Sequence, residues 1–208
     1  MFGVAAHDST LHTSLADGTD LMQFRSLAAV IGASKYHRVV LDEPEMNEYT
    51  RVLEAVQSTT AVLPAPPGTV FRSRDNLMRW LELHYFTLTQ TMGAIEGHGQ
   101  ARLTVTKTPG QDAANATSGE AKESAKQLVA TAAQSMRILR GQSAATVTLP
   151  VDENETHIIA QASFLVDLEN WSSFADLVRK EDERQTALDF HLTGPWPPYD
   201  FVRMQFGG

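Results

Sequence analysis

Apolar positions in the second half of the chain follow strand and helix spacings in turn, and they predict an ordered series of elements. Leu103 and Val105 alternate with Thr104 and Thr106, as in a strand with one buried face. The predicted series is a strand at 101–106, a helix at 128–139, strands at 144–149 and 157–166, a helix at 171–178 and a strand at 187–192. This β-α-β-β-α-β order predicts a ferredoxin-like domain, in which two helices cover one face of a four-stranded antiparallel sheet.

The first half of the chain predicts a smaller α+β unit. Short strands are expected near 2–6, 21–24, 27–31 and 61–63. Asp42-Glu43-Pro44 is a typical helix start, with a capping carboxylate and a proline in the first turn. Ser73 can cap a second and longer helix, which Gly97 ends. We therefore predict an α+β protein with an N-terminal domain at 1–97, a ferredoxin-like domain at 98–193 and a C-terminal tail at 194–208. A mobile loop is expected at Thr108–Glu120.

The amino-acid composition excludes several classes of protein function. The 208 residues are 42% hydrophobic, which is enough for a substantial core, and the net charge of -8 argues against a nucleic-acid partner. The absence of cysteine excludes disulfides, iron–sulfur sites and thiol catalysis. No stretch reaches the about 20 apolar residues of a membrane helix, and Met1–Leu11 lacks a basic leader. A cytoplasmic protein without a membrane partner is expected.

Catalytic and metal-binding motifs are incomplete. Gly97-His98-Gly99 lacks the third glycine of a dinucleotide-binding turn and precedes a strand instead of a helix. His7 and His12 could share a metal, His84 could act in catalysis, and Asp152, Glu153 and Glu155 could hold a hard cation. The favoured interpretations are solvated loop histidines, a structural histidine and a solvated acidic turn. No catalytic residue, metal or cofactor is predicted.

Two unusual segments stand out: Ala61–Phe71, which contains three prolines, and Leu192–Val202, which is rich in both proline and aromatic residues. In the second, three prolines stiffen the backbone while Trp196, Tyr199 and Phe201 supply large apolar area. Such a segment either packs onto its own domain, with Trp196 at least half buried, or docks onto a partner. A proline-rich ligand for an SH3-type domain is less favoured, because the segment directly continues a predicted core strand.

The tail Gly194–Val202, with the sequence GPWPPYDFV, closely resembles the C-terminal signature of the gas vesicle protein GvpF/GvpL family. Three other segments agree with it: Val52–Ala55, Val62–Pro64 with Gly68–Phe71, and Ala162–Asp167. The resemblance covers residues 45 to 208, although Ala65, Pro66 and Pro67 stand where the family has an arginine and an aromatic. The candidate structural or partner-binding residues are Leu63, Pro64, Gly68, Thr69, Phe71, Phe164, Gly194, Pro195, Trp196, Pro197, Pro198, Tyr199 and Phe201.

The resemblance implies two α+β domains, the second ferredoxin-like. It also implies a non-enzymatic accessory or minor component of the gas vesicle, a protein shell that encloses gas. Such a protein would contact the main shell subunit, GvpA, and assist nucleation or prevent its aggregation. The alternative is a ligand-binding or enzymatic ferredoxin-like domain, which would show polar groups converging in a pocket.

Overall fold

The computed structural model describes residues 1–7, 15, 18–34, 42–109, 118–152, 154–202 and 204, with residues 118–122 described by their backbone alone. These residues form an α+β protein with two antiparallel four-stranded sheets and four α-helices, which confirms the predicted fold class. The chain divides into two compact units. The first unit comprises residues 1–98 and 197–208, and the second comprises residues 99–196.

The elements are, in chain order, β1 (Gly3–Ala6), β2 (Thr19–Phe24), β3 (Leu27–Gly32), α1 (Glu43–Gln57), β4 (Val62–Pro64), α2 (Arg74–Ile95), β5 (His98–Lys107), α3 (Ser118–Arg140), β6 (Ala145–Leu149), β7 (Ile158–Asp167), a 3₁₀ turn (Leu168–Asn170), α4 (Trp171–Arg184) and β8 (Leu188–Trp196).

The first unit is a sheet of order β2-β3-β1-β4 with a helix on each face. One face carries Ala5, Val30 and Val62, which form a core with Tyr49, Val52, Leu53 and Val56 of α1. Neighbouring strand residues point to opposite faces, so Leu63 points the other way from Val62 and lies beside Leu88 of α2.

The two helices that the structure describes in the first unit begin at the predicted capping residues. The Asp42 carboxylate accepts a hydrogen bond from the Glu45 amide (3.1 Å), and the Glu45 side chain accepts one from the Asp42 amide (3.4 Å). Ser73 Oγ accepts from the Asn76 amide (3.2 Å). These bonds satisfy amide groups that the first helical turn leaves without partners.

The second unit follows the order β5-α3-β6-β7-α4-β8, with a sheet of order β6-β7-β5-β8. Leu103 faces Leu192 and Val105 faces Phe190 across the antiparallel β5–β8 pair. Alternate residues of β5, β7 and β8 share one core with Ala132 and Leu139 of α3 and with Phe174 and Val178 of α4. Both helices therefore pack on the same face of the sheet.

Two predicted elements differ from the structure. The helix α3 begins at Ser118, within the expected loop Thr108–Glu120, whose residues 110–117 lie outside the described part of the chain. Strand β8 continues to Trp196, so the first three residues of the predicted tail belong to the sheet. Pro195 is tolerated there because β8 is an edge strand.

Candidate functional site

Helix α2 carries apolar side chains on two opposite faces. Leu77, Leu81 and Leu88 are buried, whereas Leu83 and Phe86 are each 79% exposed. Since residues three apart are neighbours on a helix, Leu83 and Phe86 form one continuous apolar surface, here called the ridge. Burying a side chain of this size is worth about 1.5–3 kcal/mol, so the ridge is a favourable surface for a partner.

A groove of about 420 Å³ runs along another side of α2. Helix residues at positions 80, 84, 87 and 91 form one wall, because these positions recur at helical spacing. Residues 201, 202 and 204 of the C-terminal segment form the other wall. The complete lining is Leu63, Trp80, His84, Thr87, Leu88, Thr91, Phe201, Val202 and Met204.

Three rings are packed in a row at one end of the groove. The Trp80 ring lies 5.7 Å from the Phe71 ring and 5.0 Å from the His84 ring, measured between centroids. This packing agrees with the structural interpretation of His84. The polar side chains of the lining are Trp80, His84, Thr87 and Thr91, and the Thr91 hydroxyl donates to the Thr87 carbonyl within the helix (2.9 Å). The lining therefore combines apolar side chains with polar groups, and none of its described residues is Asp, Glu, Lys or Arg.

The tip of the β2–β3 hairpin is held against α2 by polar and ring contacts. The Arg25 guanidinium lies 4.9 Å from the centre of the Tyr85 ring and 5.3 Å from that of Phe24. The Ser26 and Tyr85 hydroxyls are 2.8 Å apart, and this hydrogen bond lowers the pKa of Tyr85. These contacts fix α2 on its sheet while its outer face stays open.

The segment after Trp196 packs into the first unit through Tyr199. Its ring lies 6.2 Å from Tyr49, whose own ring lies 6.4 Å from Phe2. The Tyr49 hydroxyl donates to the Ala65 carbonyl (2.5 Å). Burial raises the pKa of Tyr49, and burial together with the charge of Glu54 raises the pKa of Tyr199 to about 12.

The turn in this segment brings Phe201 to the groove. The Tyr199 amide donates to the Pro197 carbonyl (2.7 Å), and the Phe201 amide donates to the Pro198 carbonyl (3.1 Å). Pro197 and Pro198 are both buried. Two of the thirteen sequence-predicted residues, Leu63 and Phe201, therefore line the groove directly.

The other predicted residues of the first unit lie outside the lining of the groove. Pro64 is buried in β4, and Phe71 packs on Trp80. Gly68 has a φ of 81°, which favours glycine, in a turn closed by the bond from the Thr69 amide to the Pro66 carbonyl (3.1 Å).

The predicted residues of the second unit have structural positions. Phe164 is fully buried, with its ring 5.4 Å from Phe174. Gly194 has a φ of 120°, and a Cβ there would lie 2.5 Å from the Gln100 carbonyl and 2.9 Å from the Trp171 ring. Pro195 is exposed, whereas Trp196 is partly buried and its Nε1 donates to Thr193 Oγ1 (3.2 Å).

The ridge and the helical wall of the groove were not predicted from the sequence. A signal for the ridge was available, because Leu83 and Phe86 lie on the helix face opposite the buried Leu77, Leu81 and Leu88.

The candidate metal sites do not gain support from the geometry. Among the residues that the structure describes, no three His, Asp or Glu side chains are grouped to hold a metal ion. Asp152 Oδ1 accepts from the Asn154 amide (2.9 Å), as in a solvated turn. His12 and Glu153 lie outside the described residues. Across the described ranges, no helix has the length and apolar character needed to span a bilayer.

A family model described as "Gas vesicle synthesis protein GvpL/GvpF" matches residues 1–147 and 110–203 of the chain. The chain belongs to this family. The match agrees with the resemblance that the Gly194–Val202 signature indicated.

Curated relatives from Halobacterium salinarum (strain ATCC 700922 / JCM 11081 / NRC-1) agree with this membership. Gas vesicle protein F2 is 27% identical over 194 residues, which cover 89% of this chain and 81% of the relative. Gas vesicle protein F1 is 23% identical over 192 residues, which cover 89% of this chain and 82% of the relative.

Two crystal structures of gas vesicle protein GvpF have the same fold as this GvpL/GvpF-family chain. The GvpF structure from Anabaena sp. PCC7120 has a TM-score of 0.76 at 13% identity and covers 99% of this chain and 98% of that one. The GvpF structure from Microcystis aeruginosa has a TM-score of 0.71 at 13% identity and covers 98% of both. The fold is thus retained at low sequence identity.

Proposed function

We propose that the protein is an accessory or minor structural component of the gas vesicle that binds the shell subunit GvpA. In this role it assists nucleation of the shell or keeps the subunit from aggregating. Membership of the GvpL/GvpF family supports a gas vesicle role. The observation that carries the binding proposal is the ridge of Leu83 and Phe86, two large apolar side chains exposed side by side on α2.

The physical reason concerns the solubility of a shell subunit. A protein that builds a gas-filled shell must present apolar surface, and before assembly such surface drives aggregation. The ridge offers exposed apolar area, and the lining of the adjacent groove, as far as the structure describes it, contains no Asp, Glu, Lys or Arg that binding would desolvate; both lie in the first unit. Binding there covers the apolar surface of the subunit until it is delivered.

The remaining tail residues have a supporting role in this proposal. Pro197, Pro198 and Tyr199 fix the course of the chain so that Phe201 forms the groove wall. Leu63 lines the groove from β4, and Phe71 packs on Trp80 of the helical wall. No catalytic step and no cofactor are part of the proposed function.

For the second unit we infer the ferredoxin-like topology. Its β-α-β-β-α-β element order supports this assignment, as does the sheet order β6-β7-β5-β8, which places the first and third strands at the centre. The fold by itself does not determine a function, so the binding proposal rests on the first unit.

The test is co-expression with the cognate GvpA, followed by affinity capture of this protein and quantification of retained GvpA. The wild type should retain GvpA equally with and without a chelator. The Leu83→Ser/Phe86→Ser double variant should bind roughly tenfold or more weakly, because buried apolar anchors carry much of an interface energy. Both side chains are exposed, so the folded structure should be unaffected.

Val129→Ser is the matched control. Val129 is 54% exposed on α3 of the second unit, so the variant removes a comparable exposed apolar side chain elsewhere. It should retain GvpA like the wild type. If the wild type neither retains GvpA nor changes its solubility, the proposed function is wrong. If the double variant binds as well as the wild type, the function stands and the ridge is not the surface.

A further inference from the structure

We propose that strand β6 pairs in antiparallel fashion with β6 of a second copy of this chain, about a twofold axis at Val147. The second-unit sheet ends at β6, since the sheet order is β6-β7-β5-β8. The outer side of an edge strand presents backbone amides and carbonyls that can pair with another strand.

Strand β6 lacks the features that protect the other edge strands of the described chain. Edge strand β2 carries Asp20, which pairs with Arg74, and β4 is three residues long and ends at Pro64. Edge strand β8 contains Pro195 and pairs with β5 through an irregular register near Gln100. Charge, short length, proline and irregularity are the usual protections against edge-to-edge pairing.

The sequence of β6 is instead suited to pairing. Ala145–Leu149 reads ATVTL, with no charge, proline or glycine and with β-branched residues at three consecutive positions. Ala145 and Thr148 are exposed, and the other three residues are partly exposed. The strand is therefore accessible along its length.

The same five residues are complementary to themselves. An antiparallel pair centred on Val147 places Val147 opposite Val147 of the second copy and Thr146 opposite Thr148. Pairs of β-branched residues and pairs of threonines are favourable across strands. A twofold axis repeats each contact, which gives the isologous interface of a closed dimer.

The charges on either side of β6 favour a second copy of the chain as the pairing partner of this strand. Arg137 and Arg140 stand in the last turn of α3, before the strand, and the exposed Asp152 and Glu155 follow it. Antiparallel pairing brings the basic flank of one copy beside the acidic flank of the other, at both ends of the pair. A single pair of five-residue strands makes a small interface, so the dimer should be weak and should form only at high protein concentration.

The experiment is sedimentation velocity or light scattering on the full chain at concentrations up to about 1 mM, where a weak interface is populated. The mass should rise from the 22.8 kDa of one chain toward twice that value. Val147→Lys and Val147→Glu should each remain monomeric, because like charges then face each other across the axis. An equimolar mixture of the two variants should recover the dimer.

His191→Lys is the control, because it adds the same charge to the exposed surface of the opposite edge strand, β8. It should dimerise like the wild type. A wild type that stays monomeric overturns the proposal, as does a dimer insensitive to both Val147 variants. If the protein stays monomeric and binds GvpA through Val147, the partner of β6 is GvpA, and the proposal of a dimer is overturned as well. Recovery in the mixture also shows that both variants are folded.

Discussion

Tyr199 couples the C-terminal segment to the core of the first unit through an uncharged phenol. Its ring packs on Tyr49, and neither hydroxyl can ionise at low energetic cost in this apolar surrounding. The raised pKa values of both tyrosines express this cost. The packing of the segment should therefore depend on pH in the alkaline range.

We expect Tyr199→Phe to reduce the alkaline loss of stability. The pKa of Tyr199 is raised from 10.0 to about 12 in the folded protein. Between these two pH values the folded state keeps a proton that the unfolded state loses. The stability that the protonated phenol contributes is therefore complete below pH 10 and is lost as the pH rises through about 12. The free energy of unfolding, measured in urea at successive pH values, should fall less steeply with pH for the variant than for the wild type.

Tyr85→Phe is the control for this titration. The pKa of Tyr85 is lowered by its hydrogen bond to Ser26, so its ionisation acts in the opposite direction. Removing the Tyr85 hydroxyl should leave the alkaline fall in the free energy of unfolding at least as steep as in the wild type. An unchanged decline in Tyr199→Phe would contradict the burial of that phenol.

At the residue scale, the sequence identified the unusual residues better than it identified their roles. Trp196, Tyr199 and Phe201 were singled out as large aromatic rings in a stiff segment, and each makes packing contacts in the structure. Leu83 and Phe86 were missed because the prediction of α2 followed only its buried apolar face, whereas these two residues lie on the opposite face of the helix.

Among the elements, the helix starts were the most predictable, because a cap is a local feature. Asp42 and Ser73 were predicted as caps, and both accept the expected amide hydrogen bonds. The start of α3 and the end of β8 were wrong, because residues 118–127 lack the large apolar residues that the helix prediction followed and because Gly194-Pro195 resembles a strand break. Pairing of Trp196 with Gln100 extends β8 through a contact distant in sequence.

We expect Asp42→Ala to destabilise the protein by about 1 kcal/mol, because it removes the side-chain acceptor of a capping box. Asp42→Ser should restore most of the loss, since serine is an equally good cap. Thermal or denaturant unfolding of the three proteins measures the difference. Equal stability of wild type and Asp42→Ala would show that this cap does not stabilise α1.

In the whole molecule, the order of the elements was predictable, whereas contacts between distant parts of the chain were not. Periodicity along the sequence predicted the α+β class and the antiparallel sheet of the second unit, because alternation and helical spacing are read locally. The placement of residues 197–208 with residues 1–98 depends on contacts such as Tyr199 with Tyr49, which are 150 residues apart in sequence.

A variant that ends at Trp196 should lose stability in the first unit. It lacks two buried prolines and the ring of Tyr199, a loss of roughly 2–5 kcal/mol by comparison with large-to-small core substitutions. Hydrogen exchange followed by mass spectrometry should show weaker protection of residues 1–98. Residues 99–196 serve as the internal control and should keep their protection. Equal protection throughout would contradict the structural role of the segment.

The return of the chain from the second unit to the first also sets an order of events during synthesis. A ribosome completes residues 99–196 before it adds the segment that the first unit needs. The second unit is continuous in the chain and needs no residue made after Trp196, whereas the first unit lacks part of its core until the following segment has been made. A newly made molecule should reach its native groove only after Phe201, Val202 and Met204 have emerged from the ribosome, because these residues form one of its walls.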